Sequence, residues 1–169
     1  TEFGFRDIHN CKKDLTVTPY VNEEFGAKPA PFPVFLESSR KLYLPKHYGL
    51  EKFGEPDKVK IEKAFDIDIE FNGSIRENQK APVKAFLDTC TPGGSYSAQS
   101  NGGILALPCG FGKTVCALYI TAQLKKKTII VVHKEFLMSQ WIERINQFLP
   151  DARVGIIQQN KVQVKNKDI

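Results

Sequence analysis

Residues 105–120, LALPCGFGKTVCALYI, constrain the fold more than any other stretch of this 169-residue chain. An apolar, strand-like run ends in a turn carrying two glycines, and a helix-like apolar run begins directly after Lys113-Thr114. Such a strand–turn–helix aims several backbone N–H groups at one point, and the helix N-terminus adds partial positive charge there. Gly110 and Gly112 supply the positive φ that a tight wrap needs where side chains would clash. Lys113 contributes a mobile ammonium for phosphate oxygens, and Thr114 a hydroxyl able to meet Mg²⁺. A glycine-rich turn with an accidental Lys-Thr is the plain alternative; the strand before and the helix after weigh against it.

The surroundings alternate. "ILAL" ending at Leu107 reads as a strand, a helix runs from about Lys113 to Leu124, and "TIIVV" (128–132) reads as a second strand. A longer helix follows over 135–148, with Leu137, Trp141, Ile145 and Phe148 on one face, and "RVGII" (153–157) reads as a third strand. Short apolar runs alternating with amphipathic helices predict an α/β parallel sheet covered on both faces. Upstream, Val83, Phe86, Leu87 and Cys90 fall at i, i+3, i+4, i+7, one face of a short helix in which Pro82 is tolerable only near the first turn. "TPGGSYSAQSNGG" (91–103) reads as a flexible connector, and the lysines 125–127 suit the negative end of the preceding helix.

Residues 1–74 read differently, as a small, mostly β accessory region. "LTVTPYV" (15–21), "PVFLE" (33–37) and "KLYLP" (41–45) resemble short strands around the prolines 29, 31 and 33. "FDIDIEF" (65–71) alternates apolar and acidic residues, the period of a half-buried strand, and Asn72-Gly73 turns the chain. His9 and His47 are lone imidazoles, read as ordinary surface or core residues. The first 74 residues hold 11 basic and 13 acidic side chains, the remainder 13 and 6, so a net −2 faces a net +7. A basic half that also carries the phosphate motif suits polyanionic partners, although an ordinary solvated surface fits the same numbers. Four scattered cysteines read as reduced thiols, and no apolar run approaches a membrane span, so the expectation is an intracellular protein with no membrane partner, in cytoplasm or nucleus, and in the host cell if viral. The chain opens on Thr1 rather than Met, as expected of a piece of a longer protein.

The general phosphate-loop motif has glycine where this chain has Leu107. The form "LPCGFGKT" instead resembles that of superfamily 2 helicases and translocases. "GGILALPCGFGKTVCALYI" is most similar to the xeroderma pigmentosum B-type translocases and the helicases of large nucleocytoplasmic DNA viruses. The resemblance implies a RecA-like P-loop NTPase domain over 75–169, with ATP and Mg²⁺ held by Pro108, Cys109, Gly110, Phe111, Gly112, Lys113, Thr114 and Val115. Lys113 and Thr114 take the catalytic part, and Thr114 meets the metal. "IRENQKAPVKAFL" resembles the family's adenine-recognition segment, Leu-Arg-Pro-Tyr-Gln: Arg76 and Gln79 match in spacing, while Glu77 and Asn78 replace the proline and the aromatic. An exposed Gln79 near a helix start is the bland alternative. "TIIVVHKEFLMSQWIERINQFLP" is similar to motif Ia, which implies contact of His133 and Lys134 with a nucleic-acid backbone, DNA ahead of RNA. Trp141 reads as core.

After Thr114 the acids are Glu135, Glu143, Asp151 and Asp168, and none ends an apolar strand as a paired Asp-Glu would. By the resemblance, the Asp-Glu motif and a second RecA-like lobe belong to a missing part of the chain. These residues alone are then expected to bind nucleotide and turn over little or none. The leading reading is an ATP-dependent nucleic-acid helicase or translocase. A non-catalytic nucleotide- or nucleic-acid-binding scaffold is the alternative, with a small-molecule P-loop kinase behind it.

Overall fold

The computed structural model describes residues 5–20, 29–60, 62, 64–90 and 102–169. They fall in two compact units, within Thr1–Lys60 and Ile61–Ile169.

In the first unit, helix α1 (Phe5–Asp14) runs into strand β1 (Thr16–Val17), which pairs antiparallel with β2 (Phe32–Pro33). A second two-stranded ribbon joins β3 (Leu36–Glu37) to β4 (Leu42–Tyr43), and helix α2 (Lys46–Phe53) follows. Among the described residues of this unit, Cys11 and Leu15 are the buried apolar side chains. Tyr48 donates its hydroxyl hydrogen to Asp14 at 2.9 Å, and Lys12 pairs with Glu37 at 2.6 Å. The expectation of a mostly β region is corrected here. Among the described residues of this unit two helices take 10 and 8 residues, whereas each of four strands takes two. Along α1 the apolar residues are Phe5, Ile8 and Cys11, set among charged and polar side chains, and α2 is interrupted by Gly49. The expected strand at 33–37 splits between β2 and β3; Val21, closing the expected strand at 15–21, lies outside the described residues.

The second unit is built on three helices: α3 (Glu77–Cys90), α4 (Lys113–Leu124) and α5 (Glu135–Phe148). Cys116, Leu118, Ile120, Thr121 and Ala122 of α4 are all buried, so this helix lies inside the unit with apolar packing on more than one side. One cluster joins Val83, Cys116 and Ile120, with Phe86, Leu105, Leu107 and Phe111 packed against it. The other joins Ile67, Ile69, Leu118, Ala122, Ile145 and Leu149, with Trp141 and Phe148 against it. Phe71 stacks on Phe148 at 5.3 Å and meets Tyr119 edge-on at 5.2 Å. Trp141 is thus a packing residue, as its helical face implied. Pro82 sits inside α3, beyond the first turn expected for it, and leaves the Asn78 carbonyl without its helical donor.

The period-two pattern of 65–71 is realised in burial at Ile67 and Ile69, with Asp66, Asp68 and Glu70 out. Phe65, however, is 71% exposed, and the segment makes only an isolated bridge, Asp66 to Lys126, in place of the expected strand. Its acids face the lysines at the end of α4: Asp68 pairs with Lys125 at 3.2 Å, and Asp66 with Lys126. Two of the three consecutive lysines are therefore already paired.

Among the described residues the sheets are three two-stranded antiparallel ribbons, the third being β5 (Ile157–Gln158) with β6 (Lys161–Val162). The expected strands at 104–107 and 128–132 carry no ladder. Leu105, Leu107 and Ile130 pack on the helices, while Ile104, Ile129 and Val131 are 94%, 73% and 85% exposed, so the helical layer covers one face and not both. Alternation and apolar packing survive without a neighbouring strand; the ladder needs one, because a parallel strand has no hydrogen bonds of its own. The connector at 91–101 lies outside the described residues, and among those described no helix is long and apolar enough to cross a membrane.

Candidate nucleotide-binding site

The turn at 108–112 is set by its glycines. Gly110 has φ 74° and Gly112 φ 89°, and Gly112 is the left-handed N-cap of α4. No side chain caps α4 and no acid lies in its first turn, so its leading N–H groups carry no competing anion of the chain's own. A Cβ on Gly110 would meet open space within 4 Å; one on Gly112 would lie 2.6 Å from Gln79 Nε2. Phe111 packs on the apolar cluster beneath, and its N–H reaches Pro108 O at 3.3 Å, closing the turn. The Lys113 ammonium donates to Leu107 O and Pro108 O, both at 2.9 Å, which holds it over the same turn. Thr114 is half-buried one residue into the helix, and Val115 follows it half-buried; Pro108 and Cys109 are exposed.

A second segment is fastened to this turn. Gln79 is only 2% exposed and both ends of its amide are engaged. Its Oε1 accepts from Arg76 N–H at 2.8 Å, and its Nε2 donates to Phe111 O at 2.7 Å. The Arg76 guanidinium donates to the same Phe111 carbonyl and, at 3.5 Å, to Gly110 O. The alternative of an exposed Gln79 is excluded. Sequence spacing could not reveal this grip, because partners 32 and 35 residues apart meet only through the packing of α3 on α4. Burial pushes the Cys116 thiol up beneath the turn, so it sits there as an apolar filler.

The arrangement fits a polyphosphate: a glycine turn, an uncapped helix N-terminus and an ammonium meet at one end of α4, the donor set an anion requires, and Thr114 stands one residue into the same helix. Among the described residues no group of three or more His, Cys, Asp or Glu converges to hold a metal. Asp168 is committed elsewhere: it is 4% exposed, and Arg153 holds it through Nε at 2.8 Å, Nη2 at 2.6 Å and the backbone N–H at 2.9 Å. His133 and Lys134 lie apart from the turn in sequence, between the 128–132 segment and α5. Both are exposed, and Lys134 is the α5 N-cap.

Comparison with known proteins gives a consistent set. Residues 72–169 match the family described as Type III restriction enzyme, res subunit. Over 164 residues the chain is 35% identical to L396 of Acanthamoeba polyphaga mimivirus, named provisionally as an ATP-dependent RNA helicase; the match covers 94% of this chain and 30% of that protein. It is 30% identical over 129 residues to 109L of Invertebrate iridescent virus 3, named provisionally as a helicase, covering 73% of this chain and 37% of that protein. It is also 41% identical over 83 residues to the DNA 3'-5' translocase XPB2 of Sulfurisphaera tokodaii, 49% of this chain and 16% of that protein. The chain thus spans about a third of the length of the two viral relatives.

Proposed function

From the premise that the chain belongs to the family of the Type III restriction enzyme res subunit, and so has the P-loop NTPase fold of superfamily 2, we propose that it is the nucleotide-gripping part of an ATP-dependent nucleic-acid helicase or translocase. The observation that carries this reading is the turn at 108–112, fastened from outside by Arg76 and Gln79 and opening α4 with Lys113 and Thr114. Bound Mg·ATP supplies the phosphoryl group whose transfer to water drives strand movement. The chain's own residues hold and orient it. The α4 N-terminal amides and Lys113 take the phosphates, Thr114 offers its hydroxyl to Mg²⁺, and residues 108–115 form the wall. Gln79 retains one amide hydrogen and one lone pair beyond the bonds it makes, enough to read the donor–acceptor edge of adenine. His133 and Lys134, opening α5, hold a nucleic-acid backbone; one similar protein is named as a DNA translocase and another as an RNA helicase.

Residues 75–169 are the start of the RecA-like domain on this reading, and 1–74 an accessory region. The extended segments 104–107 and 128–132 are strands of a parallel sheet that takes further strands along their open edges. The Asp-Glu motif and a second RecA-like lobe belong to the whole motor.

Titration of the protein with a fluorescent ATP analogue and Mg²⁺ tests the grip. Saturable binding is expected, and Lys113→Ala should weaken it by roughly ten- to a hundredfold, the equivalent of about 1.5–3 kcal/mol for a charge-assisted bond. In the whole motor, ATP turnover should rise on adding nucleic acid. Equal affinity in wild type and Lys113→Ala would defeat the assignment.

A further inference from the structure

We propose that Arg76 is a positioning residue for the phosphate loop: through the Phe111 carbonyl it fixes the Phe111–Gly112 peptide, and it takes no part in reading the base. The inference rests on the nucleotide-binding reading above. Its carrier is a convergence. The Arg76 guanidinium and Gln79 Nε2 both donate to Phe111 O, which uses both lone pairs of that one oxygen.

A trans peptide is planar, with its C=O and N–H pointing opposite ways. Holding Phe111 O from the α3 side therefore turns the Gly112 N–H away from Arg76 and Gln79. The Phe111 side chain, packed on the cluster of Val83, Cys116 and Ile120, pins the same peptide at its other end. Gly112 fits this arrangement twice over. Its φ of 89° suits glycine, and a Cβ there would lie 2.6 Å from Gln79 Nε2 and 3.1 Å from Arg76 Nη2. The pair that grips the carbonyl thus packs where a side chain at 112 would go.

Arg76 itself is indexed by Gln79, whose Oε1 accepts its backbone N–H. Of the two donors on Phe111 O, the charged one makes the stronger bond. The same Nη2 also reaches Gly110 O at 3.5 Å, so one end of the guanidinium touches two consecutive carbonyls of the turn. A residue spent on loop carbonyls acts on whatever the loop holds. Its removal should cost every polyphosphate alike, whatever base is attached.

The test is calorimetric titration of wild type, Arg76→Ala and Arg76→Lys with Mg·ATP, Mg·GTP and Mg·tripolyphosphate, beside ligand-free melting curves. Expected is a loss in Arg76→Ala of about tenfold, the same factor for all three ligands, with partial recovery in Arg76→Lys and a ligand-free melting temperature close to wild type. A loss confined to Mg·ATP would make Arg76 a base reader and overturn the inference. So would unchanged affinity, or a loss that tracks a fallen melting temperature and is not recovered by lysine. If Arg76→Ala does not fold, Arg76→Lys decides by the same comparison: an equal, smaller loss for the three ligands supports the inference and unequal losses overturn it. Wild-type protein that takes up none of the three would bring down the functional reading and this inference together. Wild-type uptake with unchanged Arg76→Ala affinity brings down the inference alone.

Discussion

Gly110, Gly112 and Gly155 each disfavour a side chain, for different physical reasons that a denaturation series can separate. At Gly110 a Cβ would have room, so Gly110→Ala meets only the cost of a left-handed φ of 74°, about 1 kcal/mol. Gly112→Ala adds displacement of the Gln79 amide and should cost about 2–3 kcal/mol along with most nucleotide affinity. A Cβ on Gly155 would collide with the backbone carbonyl of Gln163, which cannot swing aside as a side chain can, so Gly155→Ala should cost about 3 kcal/mol or more. Urea midpoints in the order Gly110→Ala, Gly112→Ala, Gly155→Ala, from most to least stable, would bear this out; a Gly155→Ala protein as stable as wild type would refute it. The first two glycines were legible in sequence because their chemistry is local to the turn. Gly155 was not, since the group it must avoid lies eight residues on, and neither was the loop grip of Arg76 and Gln79.

At the level of elements, helices with dense apolar faces were readable and others were not. The α5 face, with Trp141, Ile145 and Phe148, and the boundaries of α4 follow from period and from the glycine turn. By contrast α1 has a clear apolar stripe that went unread among its charges, α2 is interrupted by Gly49, and the ladder expected for 104–107 and 128–132 depends on neighbours that local pattern does not specify. The segment 153–169 also shows what spacing concealed. Asp168 lies beneath Arg153; the backbone bond from Thr128 N–H to Asp168 O, at 3.0 Å, ties this stretch to the rest of the unit, and that from Gly155 N–H to Ile169 O, at 2.8 Å, closes the stretch on itself. Hydrogen bonds from Arg153 hold the Asp168 carboxyl below the usual carboxylate range, with burial opposing them. A depressed folded-state pKa means the pair stabilises fully above the ordinary value of 3.8 and loses its contribution as pH falls through the lower folded value. Asp168→Asn should therefore cost about 1–2 kcal/mol at pH 7, and the gap to wild type should close below about pH 4. Chemical denaturation of both proteins from pH 7 to pH 3 measures this; a gap that widened on acidification would contradict it.

For the molecule as a whole, the sequence places acidic residues early and basic ones late, but part of that asymmetry is settled internally. The acidic run 65–71 belongs to the unit that also holds α4, where Asp66 and Asp68 face Lys126 and Lys125. These exposed pairs add little stability, yet they reduce the basic charge free to meet a polyanion. Charge counted along a chain overstates charge presented at a surface whenever oppositely charged segments pack together. The bare sides of 104–107 and 128–132 have a separate, practical outcome. Among the described residues neither joins a ladder, and Ile104 on one and Ile129 and Val131 on the other stand exposed, the kind of edge along which proteins stick together. Concentrated on its own, this polypeptide should self-associate into strand-rich oligomers, growing with concentration in sedimentation runs, and Ile129→Lys with Val131→Lys should hold it monomeric. Anyone purifying it would meet that stickiness before measuring a single binding curve, and a sample monodisperse at high concentration would show that those edges are not open in solution.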